Sequence, residues 1–598
     1  MKLSIICGSA IVGLLLLTCS SPLEVYNLYQ PIVLDFTGPE VAEDDSDNPY
    51  TSFRLEAVFT DVNGLEYNVP GFFAADGEAA ETSASSGDVW RVKWSPPTEG
   101  KWSYVVKMYQ GDNAYLQTIS DLEEVDISGS TSGSFQVTYH KSSSDKDLAN
   151  LGRLQYDGTH YLKWSHSDNP YIKGGANSPE NFLAFKDFDG TYSSDSSLQF
   201  LKTWEPHVKD WRSGDPTWQE GKGKGIIGSI NYLSEKGMNS LYMLTMNING
   251  DGRDVWPYTS HQVFDRFDVS KLAQWDIVFA HAQSVGVAIQ FVLQETENET
   301  LLDSGDTGPM RQLYYRELLA RFGYLNALTW NLGEENGPAE FTPVAQTDEQ
   351  RKAMTDWFDD HDSYDHPIFL HTHSWPAARD PILDPLYGYK PLDGLSMQVD
   401  DPMTVHDVHL GYYEKSKASD HPWVLHMDEI GKYWKGAVPD KDEPDHDTMR
   451  IHTLWGSLMA GGAGVEWYFG YKYDEADLNC EDWRSRDGLW DQTKEALEVF
   501  NYMSVDKMSP MDHAIEGDAW CLGANGVGYI IYLPKKAPIM LDLSDDNNSY
   551  LIHYRDAATG TGLPTPGSDR IWGGRKLEIE MPPFDELDDI VITLTYPE

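Results

Sequence analysis

Positive charge is what this chain of 598 residues has least of. Its 45 Lys and Arg stand against 95 Asp and Glu, a formal net charge of −50. That excludes DNA or RNA as a partner, because a phosphate backbone attracts a basic patch. It also excludes adhesion to anionic lipid through the protein surface. Such acidity keeps a protein soluble in salt, which suits a saline habitat and equally an ordinary acidic secreted protein. Cysteine is almost absent, with four in all: Cys7, Cys19, Cys480 and Cys521. That is too few for a disulfide scaffold. Cys480 and Cys521 leave room for one disulfide in an oxidising compartment, or for two unrelated thiols. No histidines stand at the spacing that would complete a structural zinc site around them. Long apolar runs are missing after Ile5–Leu17, so the mature chain has no membrane-spanning helix to offer. There is no Gly-x-Ser-x-Gly elbow, Walker loop or His-Glu-x-x-His. Gly223-Lys224-Gly225-Ile226-Ile227-Gly228 fits a dinucleotide fingerprint by letter only, because no buried strand leads into it.

The one apolar run follows Lys2 and has the length of a signal peptide. It ends in Leu16-Leu17-Thr18-Cys19, which resembles a bacterial lipobox with Thr18 where a smaller residue is usual. Residues 1–19 are therefore expected to be a leader, and Cys19 the lipid anchor of a secreted or periplasmic protein associated with the outer membrane.

The rest divides by pattern. Over 24–140, short alternating strands such as Phe53–Phe59 and Val89–Trp94 are separated by turns, the signature of a β-sandwich. Lys141–Asp147 reads as a linker. Over 150–505, apolar strands alternate with helices. The eight strands are Tyr171–Gly174, Ser240–Met246, Val287–Leu293, Ala327–Trp330, Pro367–His373, Leu395–Val399, Trp423–Leu425 and Gly464–Phe469. Eight such units fit a (β/α)8 barrel. Over 510–598 the chain returns to strands, giving a second β-sandwich. The expected class is multidomain, α/β plus all-β, with a central TIM barrel between two β domains.

Two segments carry the chemistry: Thr329-Trp330-Asn331-Leu332-Gly333-Glu334-Glu335-Asn336-Gly337 and His426-Met427-Asp428-Glu429-Ile430-Gly431. In each an apolar strand stops at a glutamate beside a glycine. Carboxylates at the carboxyl ends of barrel strands stand where such barrels do their chemistry. Burying a charge there is costly without a role or a partner. Two carboxyls facing one another can break a glycosidic bond, one as acid and the other as nucleophile or base. Adjacent residues on an extended strand point to opposite sides, so at most one of Glu334 and Glu335 is expected to project fully into a pocket.

The central region resembles the clan A glycoside hydrolases, retaining (β/α)8 enzymes with Asn-Glu ending strand four and Glu ending strand seven. By that resemblance Glu335 is the acid/base, Glu429 is the nucleophile, and Glu334 replaces the Asn that contacts the sugar's 2-hydroxyl. Trp467 on strand eight stands where these enzymes place a sugar-stacking tryptophan, or packs in the core. Trp90-Arg91, Pro97, Gly100 and Trp102 resemble a sandwich of unknown function that precedes such barrels. Ile571-Trp572-Gly573-Gly574 resembles the collagen-binding-like β domain that follows apiosidase-like barrels.

Asn247, in the loop after strand two, and His371 and His373, two apart on strand five, are the further substrate-binding candidates. The histidine pair lacks a third ligand nearby and is assigned to pocket lining or packing. Asn247-Ile248-Asn249-Gly250-Asp251-Gly252 imitates a calcium loop, but Tyr258 stands where the bidentate Glu belongs, so no metal is assigned. The resulting expectation is a hydrolase that needs no cofactor and acts on oligo- or polysaccharide of plant or algal origin. A glycan-binding protein on an inactive barrel and an inverting hydrolase are the alternatives.

Overall fold

A computed structural model describes residues 23–167, 169–583 and 589–597. The expected leader with Cys7 and Cys19 lies outside them. Among the described residues no helix is long and apolar enough to cross a membrane.

Eight parallel strands close into a barrel: β1 (Lys173–Ala176), β2 (Ser240–Leu244), β3 (Ala288–Val292), β4 (Leu328–Asn331), β5 (Ile368–His371), β6 (Gly394–Val399), β7 (Val424–Ile430) and β8 (Gly464–Trp467). β1 pairs back to β8, Gly174 beside Val465. These strands read as continuous apolar runs because they are covered on both faces. The opening strand starts two residues later than the sequence suggests. Tyr171 belongs instead to a three-stranded sheet of Leu154–Tyr156, Leu162–Trp164 and Pro170–Tyr171. Helices follow each strand. Val269–Ser284 is N-capped by Asp268, whose side chain accepts from the Lys271 N–H, and Asp348–His361 opens with a capping box of Thr347 and Gln350. The helix before β8 begins with a π turn over Met449–Trp455.

The N-terminal part is two facing sheets. One runs Glu24–Asn27, Ser132–Thr138, Gly100–Gln110, Phe53–Thr60, Glu66–Pro70, and the other Ile32–Ala42, Ser86–Trp94, Phe72–Phe73. Its first pairing, Glu24–Asn27 on Phe135–Thr138, is parallel, in an otherwise antiparallel arrangement. Trp90, Trp94 and Trp102 fill the space between the sheets, Trp94 stacking on Phe59 at 4.2 Å. This core runs on without a break into the barrel. Barrel residues reach across to the sandwich backbone: Arg321 donates to the Phe73 carbonyl at 2.8 Å, Asn326 to Tyr29 at 2.7 Å and Arg153 to Ser95 at 3.0 Å. The C-terminal part is a seven-stranded and a three-stranded antiparallel sheet with a core of its own. Arg450 ties it to the barrel through Asp589, at 2.9 and 3.0 Å. Cys480 and Cys521 are separate, buried free thiols.

Candidate active site

β7 carries one residue more than β6 where they pair. Met397 stands beside Met427, but Gln398 stands beside Glu429. This bulge lets two consecutive carboxylates both serve the inner side of the barrel. Asp428 bonds Lys173 Nζ at 2.9 Å and Gln290 Nε2 at 3.0 Å inside the barrel. Glu429 points up into the mouth, where Gln398 Nε2 donates to its Oε1 at 2.5 Å.

The same Gln398 Nε2 donates to Glu335 Oε1 at 2.8 Å. One amide nitrogen therefore bridges the two glutamates. Their facing oxygens lie no further apart than 5.3 Å, the two bonds laid end to end. His371 and His373 sit beneath the pair, each against a different member. His371 Nε2 is 3.5 Å from Glu429 Oε2, and His373 Nδ1 is 3.7 Å from Glu335 Oε2. Burial pushes both histidines down, His371 to about 3, so both are neutral. His373 is held by the Gly337 carbonyl at 3.1 Å and stacks on Trp375.

Glu334 and Glu335 both line the cleft, contrary to the alternation argument. They lie beyond the end of β4, in a loop where alternation no longer applies. Glu335 sits at φ 43°, left-handed backbone that is uncommon outside glycine and costs about 1–3 kcal/mol. Buried Glu299 holds this loop, accepting from the N–H groups of Gly337 at 2.6 Å and Gln346 at 2.7 Å. Burial pushes Glu299 up to about 7.

The cleft holds about 350 Å³. Glu180, Glu295 and Glu334 are buried in its lining, and Asp251, Glu297 and Asp400 join them toward solvent. Phe341, Trp375, Tyr433, Tyr468 and Tyr471 are its aromatic members. Crowding raises the proton affinity of the buried carboxyls. Glu334 is pushed well up by burial, then by Glu335, and Glu429 by burial, then by Glu335 and Glu334. Glu335 rises through burial, opposed by the Gln398 hydrogen bond. The cluster thus shares protons, and its titration belongs to the group rather than to single residues. Ligand atoms of Glu334, His371 and Glu429 come within 4.8 Å of one another, as do those of Glu180, Glu295 and Glu334, so either set has room for a divalent cation.

Two sequence candidates lie elsewhere. Asn247 is fully buried and spends its amide inside its own loop, donating to Asp254 Oδ1 and accepting from the N–H groups of Asp254 and Val255. It is not among the residues that line the cleft. Trp467 is also fully buried, its Nε1 donating to Thr493 Oγ1 at 2.8 Å, so it packs against the last barrel helix. The cleft aromatic is its neighbour Tyr468. Sequence reasoning passed over Gln398, Glu180 and Glu295. For Glu295 the signal was present, because Leu293-Gln294-Glu295 ends an apolar strand as Glu335 and Glu429 do. Nothing comparable marks Gln398.

A family model described as "Domain of unknown function (DUF5060)" matches residues 26–109, within the sandwich. No curated protein matches the sequence. Among solved structures, the chain is similar to a candidate glycoside hydrolase from Bacteroides vulgatus, with a TM-score of 0.63 and 16% identity over 96% of this chain and 99% of that one. It is also similar to a glycoside hydrolase family 5 protein from the same organism, with a TM-score of 0.52 and 14% identity over 76% and 96%. A third structure, described only as a glycoside hydrolase, gives 0.51 and 13% over 76% and 99%. At these identities what is shared is the fold, a closed barrel of a kind found in glycoside hydrolases.

Proposed function

We propose that this protein is a retaining glycoside hydrolase of the clan A, apiosidase-like kind, with Glu429 as nucleophile and Glu335 as acid/base. The observation that carries this is the Gln398 bridge, which holds the facing oxygens of the two glutamates within 5.3 Å. Retention needs carboxyl groups about 5–5.5 Å apart, and inversion needs about 6.5–9.5 Å to admit a water. Glu334 lines the pocket with them, and His371 and His373 pack against Glu429 and Glu335. The substrate is an oligo- or polysaccharide of plant or algal origin, met outside the cell by a protein exported and anchored through Cys19.

The test is a polysaccharide panel followed by NMR of the first-formed product. Retained anomeric configuration is expected, and an inverted product would replace double displacement with single displacement. Turnover is expected to survive chelation, since double displacement by Glu429 and Glu335 needs no metal ion. If EDTA abolished it and zinc or calcium restored it, the cofactor-free mechanism would be wrong.

Gln398 is a positioning residue in this reading. Gln398→Leu is expected to lower kcat about 10- to 100-fold through misplaced carboxylates. Its hydrogen bonds favour the ionised forms of both glutamates. Without them the acid limb of the pH–rate profile should move to higher pH, while KM changes little. An unchanged profile would mean that the bridge is incidental.

A further inference from the structure

Half of the cleft lining, eight residues of sixteen, is carboxylate, and no Lys, Arg or His is among the sixteen. Polysaccharides divide by charge. Uronans and sulfated galactans carry an anion on most units, whereas glucans, mannans, xylans and unsubstituted galactans carry none. From this lining we infer that the site selects against anionic glycans and accepts uncharged chains, a choice that rests on the hydrolase reading for its substrate but not for its physics.

Glu180, Glu295 and Glu334 are each less than a tenth exposed, and none is in an ion pair with Lys or Arg among the described residues. Asp251, Glu297 and Asp400 extend the same sign toward solvent. A concave, low-dielectric wall of one sign concentrates its field in the opening, where salt screens it less than on an open surface. A sulfate or uronate entering here finds no Lys, Arg or His in the lining to pair with, and desolvating an unpaired charge is costly. Hydroxyl groups meet the opposite situation. Each is a donor and an acceptor, and a carboxyl group accepts in either protonation state and also donates when protonated. Exposed Trp375 and Tyr433, 40% and 70% accessible, provide flat apolar faces for the CH surface of a pyranose. The proton affinities of Glu180, Glu334 and Glu429 are raised by burial first and then by the neighbouring carboxylates. An added anion would raise them further.

Thiol labelling tests the field directly. Phe341 lines the cleft and is 61% exposed, and the native Cys480 and Cys521 are buried. In Phe341→Cys, a cationic methanethiosulfonate is expected to react faster than an anionic one of similar size. Val62→Cys, on an exposed turn of the sandwich, reports the background of the whole acidic protein, and unmutated protein corrects for native thiols. The cation-to-anion rate ratio should be roughly tenfold or more greater in the cleft than at Val62→Cys. Equal ratios overturn the inference. The second arm pairs each neutral hexose polysaccharide that is turned over with its C6-oxidised counterpart, and a xylan, which has no C6, with a xylan carrying uronic acid side groups. The added carboxylate is expected to lower kcat/KM at least about tenfold. Comparable turnover of the acidic chain overturns the charge selection and leaves the hydrolase reading standing. If no glycan is turned over, the hydrolase reading fails, and the labelling ratio still decides the selection.

Discussion

Glu335→Gln is expected to lower kcat on an unactivated oligosaccharide by about 10²- to 10⁴-fold, the usual worth of a positioned general acid. The substitution is nearly isosteric. A glutamine Oε1 can still accept from Gln398, so the loop and its left-handed backbone have no reason to move. What disappears is the proton delivered to the leaving oxygen. The loss should therefore depend on the leaving group, largest for a sugar and small for a nitrophenolate that departs without help. The alkaline limb of the pH–rate profile, set by ionisation of the acid, should flatten in the variant. Glu429→Gln should fall further, to background with every leaving group, because no covalent intermediate can form. The two losses should not add, since the residues act as a unit. A Glu335→Gln protein with full turnover on an unactivated substrate would remove the acid/base assignment.

Lys173→Met should be the most damaging single change to stability, at about 3–5 kcal/mol, the cost of leaving a buried charge without its partner. Lys173 Nζ lies 2.9 Å from Asp428 Oδ1 and 2.6 Å from Glu466 Oε2, and all three are at most 2% exposed. One cation between two buried carboxylates leaves a surplus negative charge, which a proton removes. Glu466 takes it. Burial pushes its pKa up to about 8, opposed by Lys173, while Asp428 is held below its ordinary value by Lys173 and His426 against its own desolvation. The sign of the pH dependence follows. Unfolded, Glu466 releases its proton near the ordinary 4.5, whereas folded it keeps it to about 8. Between those values the native state binds more protons, so this group's contribution to stability falls as pH rises. Asp428 acts in the opposite sense at the acid end, its contribution being lost as pH falls below the carboxylate range. Glu466→Gln mimics the protonated form. It should cost little at neutral pH and remove the decline between pH 4.5 and 8 in denaturation measurements. A mild Lys173→Met, or a Glu466→Gln as damaging as it, would contradict this proton assignment.

The barrel was legible because its strands are buried on both faces. Each therefore appears as an uninterrupted apolar run between helices of 3.6 periodicity, and all eight closed into one sheet in chain order. The glutamates were legible for a related reason, since a charge that ends such a run stands out. Periodicity carries no information about what happens beyond a strand end. Glu334 and Glu335 both reached the cleft because the chain leaves extended backbone after Asn331, and Asn247 did not because its loop folds on it. Trp467 illustrates another limit. Its strand position was readable, but which neighbour faces the mouth changes with a single residue of register, and Tyr468 has that place. The Lys173–Asp428–Glu466 group was invisible for want of any sequence proximity. Gln398 was missed because an amide has no charge to betray it.

The seam between sandwich and barrel has a consequence for divergence. Arg321, Asn326 and Arg153 grip the sandwich through the main-chain oxygens of Phe73, Tyr29 and Ser95. A carbonyl is present whatever the side chain, so these three bonds survive substitution at Phe73, Tyr29 and Ser95, although Tyr29 and Ser95 would each lose a side-chain bond to the barrel, with Ser165 and Arg153. Docking of this kind is inherited with the backbone rather than with the sequence. A relative can keep the sandwich seated on the barrel long after their residues have drifted apart, provided the barrel's own donors remain.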